Sequence, residues 1–242
     1  PCKQIVLEDA WLKRVPWLRP KRIFADVSPA EDRSRLYPIS RTWTTSNLHA
    51  NQFTAACGVT IYRGTALPAA LYGISLTCEP TANLVHADVL RPVSVIFDST
   101  PLTPEKEFLA TKDEWFRPVN LPHGPDVALY LCDMYRAVIE HPQFMPDELK
   151  QRPDLLYGTD KGRIWKIRSK RSPAPWEIKN LNLLSTTELV NLLRHPNAWQ
   201  RETAQRLLLE RQDKQAAAAL LAILRDPQSG CGAAQALHLL AA

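Results

Sequence analysis

Trp115-Phe116-Arg117-Pro118-Val119-Asn120, then Gly124-Pro125-Asp126, then Ala128-Leu129-Tyr130-Leu131-Cys132-Asp133-Met134-Tyr135-Arg136, and finally Gly162-Arg163-Ile164-Trp165-Lys166-Ile167 form the stretch that decides the fold. Two extended apolar runs around a Gly-Pro-Asp turn, followed by a late third run, predict a β-meander. Pro presets φ for a tight turn, and Asp bonds its own downstream backbone.

Outward from this stretch, the same two-residue period appears earlier. Cys57, Val59 and Ile61 alternate with Gly58, Thr60 and Tyr62, and Ile74, Leu76 and Cys78 alternate with Ser75 and Thr77. Antiparallel pairing around a connection at 64–71 sets Ile61 opposite Ile74, Val59 opposite Leu76 and Cys57 opposite Cys78, all on one face. Residues 83–89 and 92–97 give two further short strands, and four strands in sequence make one propeller blade. Residues 115–167 supply most of a second blade, interrupted by an insert at 137–160. The insert holds His141-Pro142, Met145-Pro146 and Arg152-Pro153, with a short helix expected at 147–151. Its length suits either a brace that only packs or a loop that bears function, and bracing is the favoured reading.

Past Ile167 the sequence turns polar at Arg168-Ser169-Lys170-Arg171-Ser172-Pro173-Ala174-Pro175, a natural boundary. The period then becomes helical. Ser185-Thr186-Thr187-Glu188 is a capping box, Asn197 with Gln200 starts a second helix, and an Ala-rich helix is expected at 214–225. Leu192-Leu193-Arg194 with Pro196 recurs 31 positions later as Ile223-Leu224-Arg225 with Pro227, and Leu208-Leu209 recurs as Leu239-Leu240. Helix pairs at this spacing suggest HEAT-like units.

The fold expected is mixed and multidomain: the C-terminal portion of a β-propeller followed by an all-α HEAT-like solenoid. Residues 1–45 are a loop-rich segment carrying Trp11, Trp17, Tyr37 and Trp43, with one helical turn near Glu8 to Lys13. Residues 46–171 are propeller blades, and 172–242 are helical repeats forming an incomplete array. The chain opens on Pro1 and is expected to be an internal piece or processed form.

Bulk properties narrow the function. The 242 residues are 45% hydrophobic and 23% charged, ordinary for a packed protein. The net charge of +5 is unevenly spread. Residues 1–45 carry 9 basic and 5 acidic groups, 46–160 carry 8 and 14, and 161–242 carry 13 and 6. A basic shell round an acidic middle suggests separate modules and not one nucleic-acid surface. The basic run at 161–171 contains Trp165, but its alternation from Arg163 to Ile167 marks an edge strand, so nucleic acid is disfavoured as a partner.

Candidate chemistry is sparse. Cys57 and Cys78, opposed in the predicted pairing, are a possible disulfide or two buried thiols. The five cysteines contain no CxxC pair and no CxxCH, which disfavours zinc and covalent haem within the chain. His86 with Asp88, and His123 near Asp126, have unspecific spacings for metal or acid–base work, and hydrogen-bonded structural histidines are the favoured reading. Arg117, Asp133 and Arg136 sit at predicted strand ends. They are the candidate cofactor-binding residues, since a guanidinium fork matches an anion; ion pairs or turn caps are the competing role. No catalytic residue and no metal ligand is assigned. P-loop, dinucleotide and Ser-His-Asp signatures are absent.

The 115–136 and 162–167 stretches resemble the blade repeat of quinoprotein glucose/sorbosone-type dehydrogenases. They look closest to the membrane-bound dehydrogenases of planctomycete-type bacteria, which join a propeller to HEAT repeats and a c-type cytochrome domain. Cys57-Gly58-Val59-Thr60-Ile61-Tyr62-Arg63-Gly64 with Leu67-Pro68, and Cys78-Glu79-Pro80 with Asn83-Leu84-Val85-His86, resemble the preceding blade. The resemblance covers residues 35–242. It implies an extracytoplasmic enzyme, periplasmic or membrane-associated, that oxidises a sugar or alcohol and passes electrons to a cytochrome c. Pyrroloquinoline quinone and calcium are the implied cofactors, haem c belongs to a domain outside these residues, and a protein partner is expected on the helical repeats. The usual Gly-Pro-Asp-Gly turn becomes Gly124-Pro125-Asp126-Val127, a departure from the family pattern. The alternative is a non-catalytic scaffold that binds polysaccharide or protein, because fold alone does not choose between them.

Overall fold

The computed structural model describes residues 3–5, 9–14, 17, 24–27, 34–41, 51–141, 143, 145, 147–171 and 179–242. Cys2, Trp43, His49 and the joint at 172–175 lie outside the described residues. The chain divides into two compact units. One comprises Pro1–Tyr62, Gly73–Pro122 and Leu131–Trp165, the other Arg63–Tyr72, His123–Tyr130 and Lys166–Ala242.

In the first unit, β1 (Lys3–Ile5) pairs antiparallel with β2 (Phe24–Asp26), and the short helix α1 (Asp9–Arg14) falls where one helical turn is expected. The main sheet runs β3 (Cys57–Ile61), β4 (Ser75–Glu79), β5 (Leu84–Val93), β6 (Ile96–Pro101). The two-residue strand β7 (Leu109–Ala110) also pairs with β5. β5 is the pivot. One edge takes β4 along Leu84 to Asp88, while the other takes β7 at Leu84 and Val85 and β6 from Asp88 to Val93.

Enclosure on both edges buries the first half of β5, and every residue of β4 is buried. Glu79 lies fully buried within β4. Its carboxylate accepts from the backbone N–H groups of Thr54, Ala55 and Thr81 at 3.0–3.3 Å. Burial raises its pKa, and those backbone donors work against the rise.

The β3–β4 pairing departs from the expected register. Cys57 does oppose Cys78, but Thr60 then opposes Leu76 and Ile61 opposes Ser75. A bulge adds one residue to β3 after Cys57 and sends Val59 toward solvent. Gly58 makes this possible with φ of +57° and no side chain, where a Cβ would collide with the Val119 carbonyl oxygen. Residues 83–89 and 92–97 were expected as two strands. Instead β5 continues through Pro92, whose partner is Phe97, and turns at Ser94 with φ of +56°. β4 pairs with β5 only as far as Asp88, so at Pro92 one edge of β5 carries no strand of this sheet, and a missing N–H is tolerated there.

The decisive stretch forms a three-stranded sheet in the order β10 (Arg163–Ile167), β9 (Leu129–Asp133), β8 (Pro118–Asn120). Both β9 and β10 run from one unit into the other. The expected short helix in the insert is α2 (Asp147–Lys150).

In the second unit, α3 (Thr186–Leu192) opens on the expected capping box: Ser185 Oγ accepts from Glu188 N, and Glu188 accepts from Ser185 N at 2.8 Å. Asn197 caps α4 (Ala198–Arg211), accepting from Trp199 N at 2.9 Å. α5 (Ala216–Arg225) packs against α6 (Cys231–Ala241) as α3 packs against α4. Their shared core holds Leu189, Val190, Leu193, Ala204, Leu207, Leu220 and Ile223.

The expectation of a propeller followed by an all-α HEAT-like solenoid is wrong. The chain is mixed α/β, with antiparallel sheets that include a curled half-barrel. Two physical features depart from the expected plan. β7 joins the main sheet beside β5, which a four-strand blade does not allow. The helices share their unit with two segments from the strand-rich region. Ala198 N donates to Arg63 O, Gln200 Nε2 to Pro125 O, and Arg63 pairs with Glu202 at 2.6 Å. A solenoid repeat contacts only its neighbours, and these helices do not behave so.

Candidate functional site: an aromatic face

Asp133, at the end of β9, is 3% exposed and makes three hydrogen bonds. Its Oδ1 accepts from Arg117 N at 2.8 Å and from Tyr135 N at 3.0 Å, and its Oδ2 accepts from Trp165 Nε1 at 3.0 Å. The residue before β8, the turn after β9 and the indole of β10 are thereby tied to one carboxylate. Arg117 works from beneath. Its Nε donates to Arg136 O at 3.0 Å, Nη1 to Pro80 O at 2.7 Å and Nη2 to Ala137 O at 2.7 Å. Burial, and then the nearby Arg152, lowers its pKa to about 10, which leaves it charged at neutral pH.

The sequence-predicted trio is therefore brought together. Arg117 and Asp133 act as struts, and Arg136 supplies a carbonyl to one of them. The guanidinium of Arg136 is half-buried, and its Nη1 is sealed from solvent with no hydrogen-bond partner among the described residues.

What the struts hold up is a group of rings. The ring centroids of Trp115 and Tyr135 lie 5.8 Å apart, and those of Trp115 and Tyr157 6.1 Å apart, both edge to face. The Arg163 guanidinium sits 3.6 Å from the Tyr135 ring centroid and 5.7 Å from that of Trp165. Tyr157 comes from the insert. Its N–H donates to Asp154 O at 2.9 Å, its carbonyl accepts from Ala137 N at 3.2 Å, and Asp154 holds Arg152 through two bonds of 2.6 and 2.8 Å. Gly158, at φ of +87°, lets this turn lie directly on the Tyr135 backbone, where a Cβ would strike the Tyr135 carbonyl. Tyr157 remains 56% exposed and Trp165 46%, so both offer ring surface to solvent. Polar groups border the rings: burial and a hydrogen bond with the Asp113 carboxylate raise the Tyr135 phenol pKa, and Lys161 pairs with Asp160 at 3.2 Å.

Sequence reasoning missed this face. Its rings are drawn from Trp115, Tyr135, Tyr157 and Trp165, and the available signal was the density of aromatics flanking the insert.

The other expected sites resolve as follows. Cys57 and Cys78 are Cα partners, and both are free thiols. Burial raises both, and pushes fully buried Cys78 to about 12. His86 is sealed inside, its Nδ1 2.7 Å from Glu107 and its Nε2 3.2 Å from Asp88, with the Phe53 ring edge-on at 5.5 Å. His123 Nε2 accepts from Arg63 N at 3.2 Å. Asp126 instead bonds Tyr130 Oη at 3.0 Å and pairs with Lys166. Among the described residues no group of three or more His, Cys, Asp or Glu side chains is placed to hold a metal ion. Pyrroloquinoline quinone with calcium would need free donors converging on one cavity. The Arg117 fork is spent on carbonyls and is not free to clamp a quinone.

The sequence pattern of a family described as a domain of unknown function, DUF7133, matches residues 1–171. The chain belongs to this family. Every residue of the aromatic face lies within the DUF7133 span, whereas α3 to α6 lie beyond it. No curated protein and no solved structure matches the chain.

Two outcomes are expected. Asp133→Asn places an amide in a site that faces three donors, and should cost about 3 kcal/mol in denaturant unfolding while red-shifting the Trp165 emission. For His86, burial favours the neutral ring, but Asp88 and Glu107 outweigh it and raise the pKa from 6.5 to about 9. Its folded pKa exceeds its unfolded value, so its stabilisation is complete below pH 6.5 and is lost as pH rises through 9. The unfolding midpoint of the wild type should therefore fall across that window more steeply than that of His86→Gln.

Proposed function

We propose that the chain binds a saccharide on the face formed by Trp115, Tyr135, Tyr157 and Trp165, and that its own role is recognition without chemistry. The single observation behind this is that the face presents exposed rings on a fixed support, while the Arg117 guanidinium and the Asp133 carboxylate beside it are consumed in building that support. Aromatic rings supply flat apolar area at low entropic cost, and the C–H face of a pyranose lies flat on such a ring. Asp113, Arg163 and the Asp160–Lys161 pair at the border offer both acceptors and donors to sugar hydroxyls. Acidic groups stand among the basic ones, unlike the continuous positive stripe that a nucleic acid needs. Restrained rings lose little freedom on binding, which favours affinity from a small contact area.

Affinity electrophoresis through gels containing a panel of neutral and charged polysaccharides tests this. At least one polymer should retard the protein. Tyr157→Ala should weaken that interaction by about tenfold, the scale of one lost ring contact, with its thermal midpoint little changed. Tyr157→Phe should retain most of the binding. No retardation by any polymer, or equal retardation of Tyr157→Ala, removes this reading and leaves the face to a protein partner.

A second reading is favoured by where the sequence resemblance falls. The runs that resemble quinoprotein dehydrogenases are β8, β9 and β10, the strands that carry or support the rings. On that reading the chain is the sugar-facing part of an extracytoplasmic dehydrogenase, whose quinone loops and cytochrome c partner lie outside these 242 residues. Full-length protein loaded with pyrroloquinoline quinone and calcium should then reduce a dye with a sugar or alcohol. Absence of both cofactor uptake and dye reduction would leave recognition as the function.

A further inference from the structure

A cleft of about 350 Å³ opens within the helical unit, between α4 and the short 3₁₀ turn Leu181–Leu183. Trp199, Thr203, Arg206, Leu207 and Glu210 line one wall, because positions i, i+4, i+7, i+8 and i+11 share a helix face. Residues 179–182 line the other. The two walls are tied together. Asn180 Oδ1 caps the turn by accepting from Asn182 N at 3.1 Å, and Arg211, the last residue of α4, donates to Leu184 O at 2.7 Å and to Asn182 O at 2.8 Å. A cleft fixed in this way gives up little freedom on binding, and its volume lies at the small end of the range usual for ligand sites.

Its depth is apolar. Leu181 and Leu207 are nearly sealed, and half-buried Trp199 adds its indole. Its polar groups are mostly donors with no task in the fold: among the described residues, the Trp199 indole N–H, the Thr203 hydroxyl, the Asn180 amide N–H groups and the Lys179 ammonium make no hydrogen bond to the protein. Arg206 and Glu210 neutralise each other at 2.6 Å, and each is more than half exposed. Lys179 is left as the net charge of the lining. It forms no ion pair among the described residues, although its field adds to the Ser185 hydroxyl and amide in holding the Glu188 carboxyl below its usual range. An apolar depth, a surplus of donors and one net positive charge match a ligand with an apolar body and a single acceptor-rich anionic end. A phosphate ester carries nearer two charges and leaves one of them unmatched.

We propose that this cleft binds a small organic carboxylate, with its aryl or alkyl body against Trp199, Leu181 and Leu207 and its carboxylate facing Lys179 and Thr203. None of these residues belongs to the aromatic face, and the proposal does not depend on the saccharide reading.

The test titrates the full chain, labelled with nitrogen-15, with hydrocinnamate, its amide hydrocinnamide and phenylpropylamine, and follows the indole N–H signals by NMR. The Trp199 signal is the one absent from Trp199→Phe. Hydrocinnamate should move it with a Kd of about 1 mM, as suits a ligand of its size, and should bind about tenfold more tightly than the amide. Phenylpropylamine should bind no better than the amide. Lys179→Gln, at an exposed position, should bind acid and amide alike. Equal wild-type affinity for acid and amide overturns the inference, and so does a full preference in Lys179→Gln. Movement of other indole signals without that of Trp199, or binding of none of the three probes, overturns it as well. Should Trp199→Phe lose its cooperative thermal transition, isothermal titration of wild type and Lys179→Gln makes the same comparison of acid with amide. No polysaccharide enters the experiment, so failure of the saccharide reading and failure of this one are told apart.

Discussion

One carboxylate organises the strand-rich part of this protein. Asp133 receives the Arg117 and Tyr135 amides on one oxygen and the Trp165 indole on the other. These donors come from three places in the sequence: the residue before β8, the turn after β9 and the middle of β10. A buried carboxylate tolerates no vacancy among its partners, because each lost donor exposes charge to a poorly solvating interior. That intolerance makes the arrangement specific. β10 cannot shift along the sheet without withdrawing Trp165, and the β9 turn cannot open without withdrawing Tyr135. Arg117 closes the assembly from below by gathering the carbonyls of Pro80, Arg136 and Ala137. Rings mounted on such a support are held in place, a condition for recognising a rigid ligand.

Much of the local structure is legible in the sequence, because local structure obeys short-range rules. Alternation locates β3, β4, β9 and β10, and the Ser185/Glu188 capping box and the Asn197 cap mark the starts of α3 and α4. Errors arise where tertiary contacts overrule the period. The β3 register slips by one residue because the Val119 backbone approaches Gly58 closely, and nothing near Gly58 in sequence announces that neighbour. Pro92 looks like a strand breaker yet stands within β5, since β5 is paired on one edge only at that point. The helical repeat misleads in the same way. Leu189 and Leu220 are both buried, but Val190 is buried where its counterpart Leu221 is 41% exposed. Similar letters at an offset of 31 thus do not share one burial pattern, and an architecture inferred from the repeat alone overshoots. The fold class, which depends on how sheets and helices are grouped, was the part least determined by period.

The site shows the same division between residue chemistry and placement. Arg117, Asp133 and Arg136 stand out in sequence as polar groups at strand ends, and the structure does bring them together. Sequence cannot tell a guanidinium that awaits an anion from one already saturated by carbonyls, because the accepting carbonyls belong to Pro80 and Ala137, 37 and 20 residues away. The aromatic face is harder still. Trp115 and Trp165 lie far apart in the chain, and Tyr157 arrives through an insert whose length suggests a brace. The Arg152–Asp154 pair braces the turn, and the braced turn brings Tyr157 against Trp115.

Two arginines 19 residues apart behave differently. Arg117 is buried, and its fork spans three carbonyls that only a folded chain aligns, so its charge stabilises the sheet and is unavailable to solutes. Arg136 enters the same network only as an acceptor, through its carbonyl. Its charge adds to that of Lys161 in holding the Asp160 carboxyl below its usual range. Rigid struts beneath the rings thus keep exposed aromatic area in one arrangement, which a surface that recognises a rigid ligand requires.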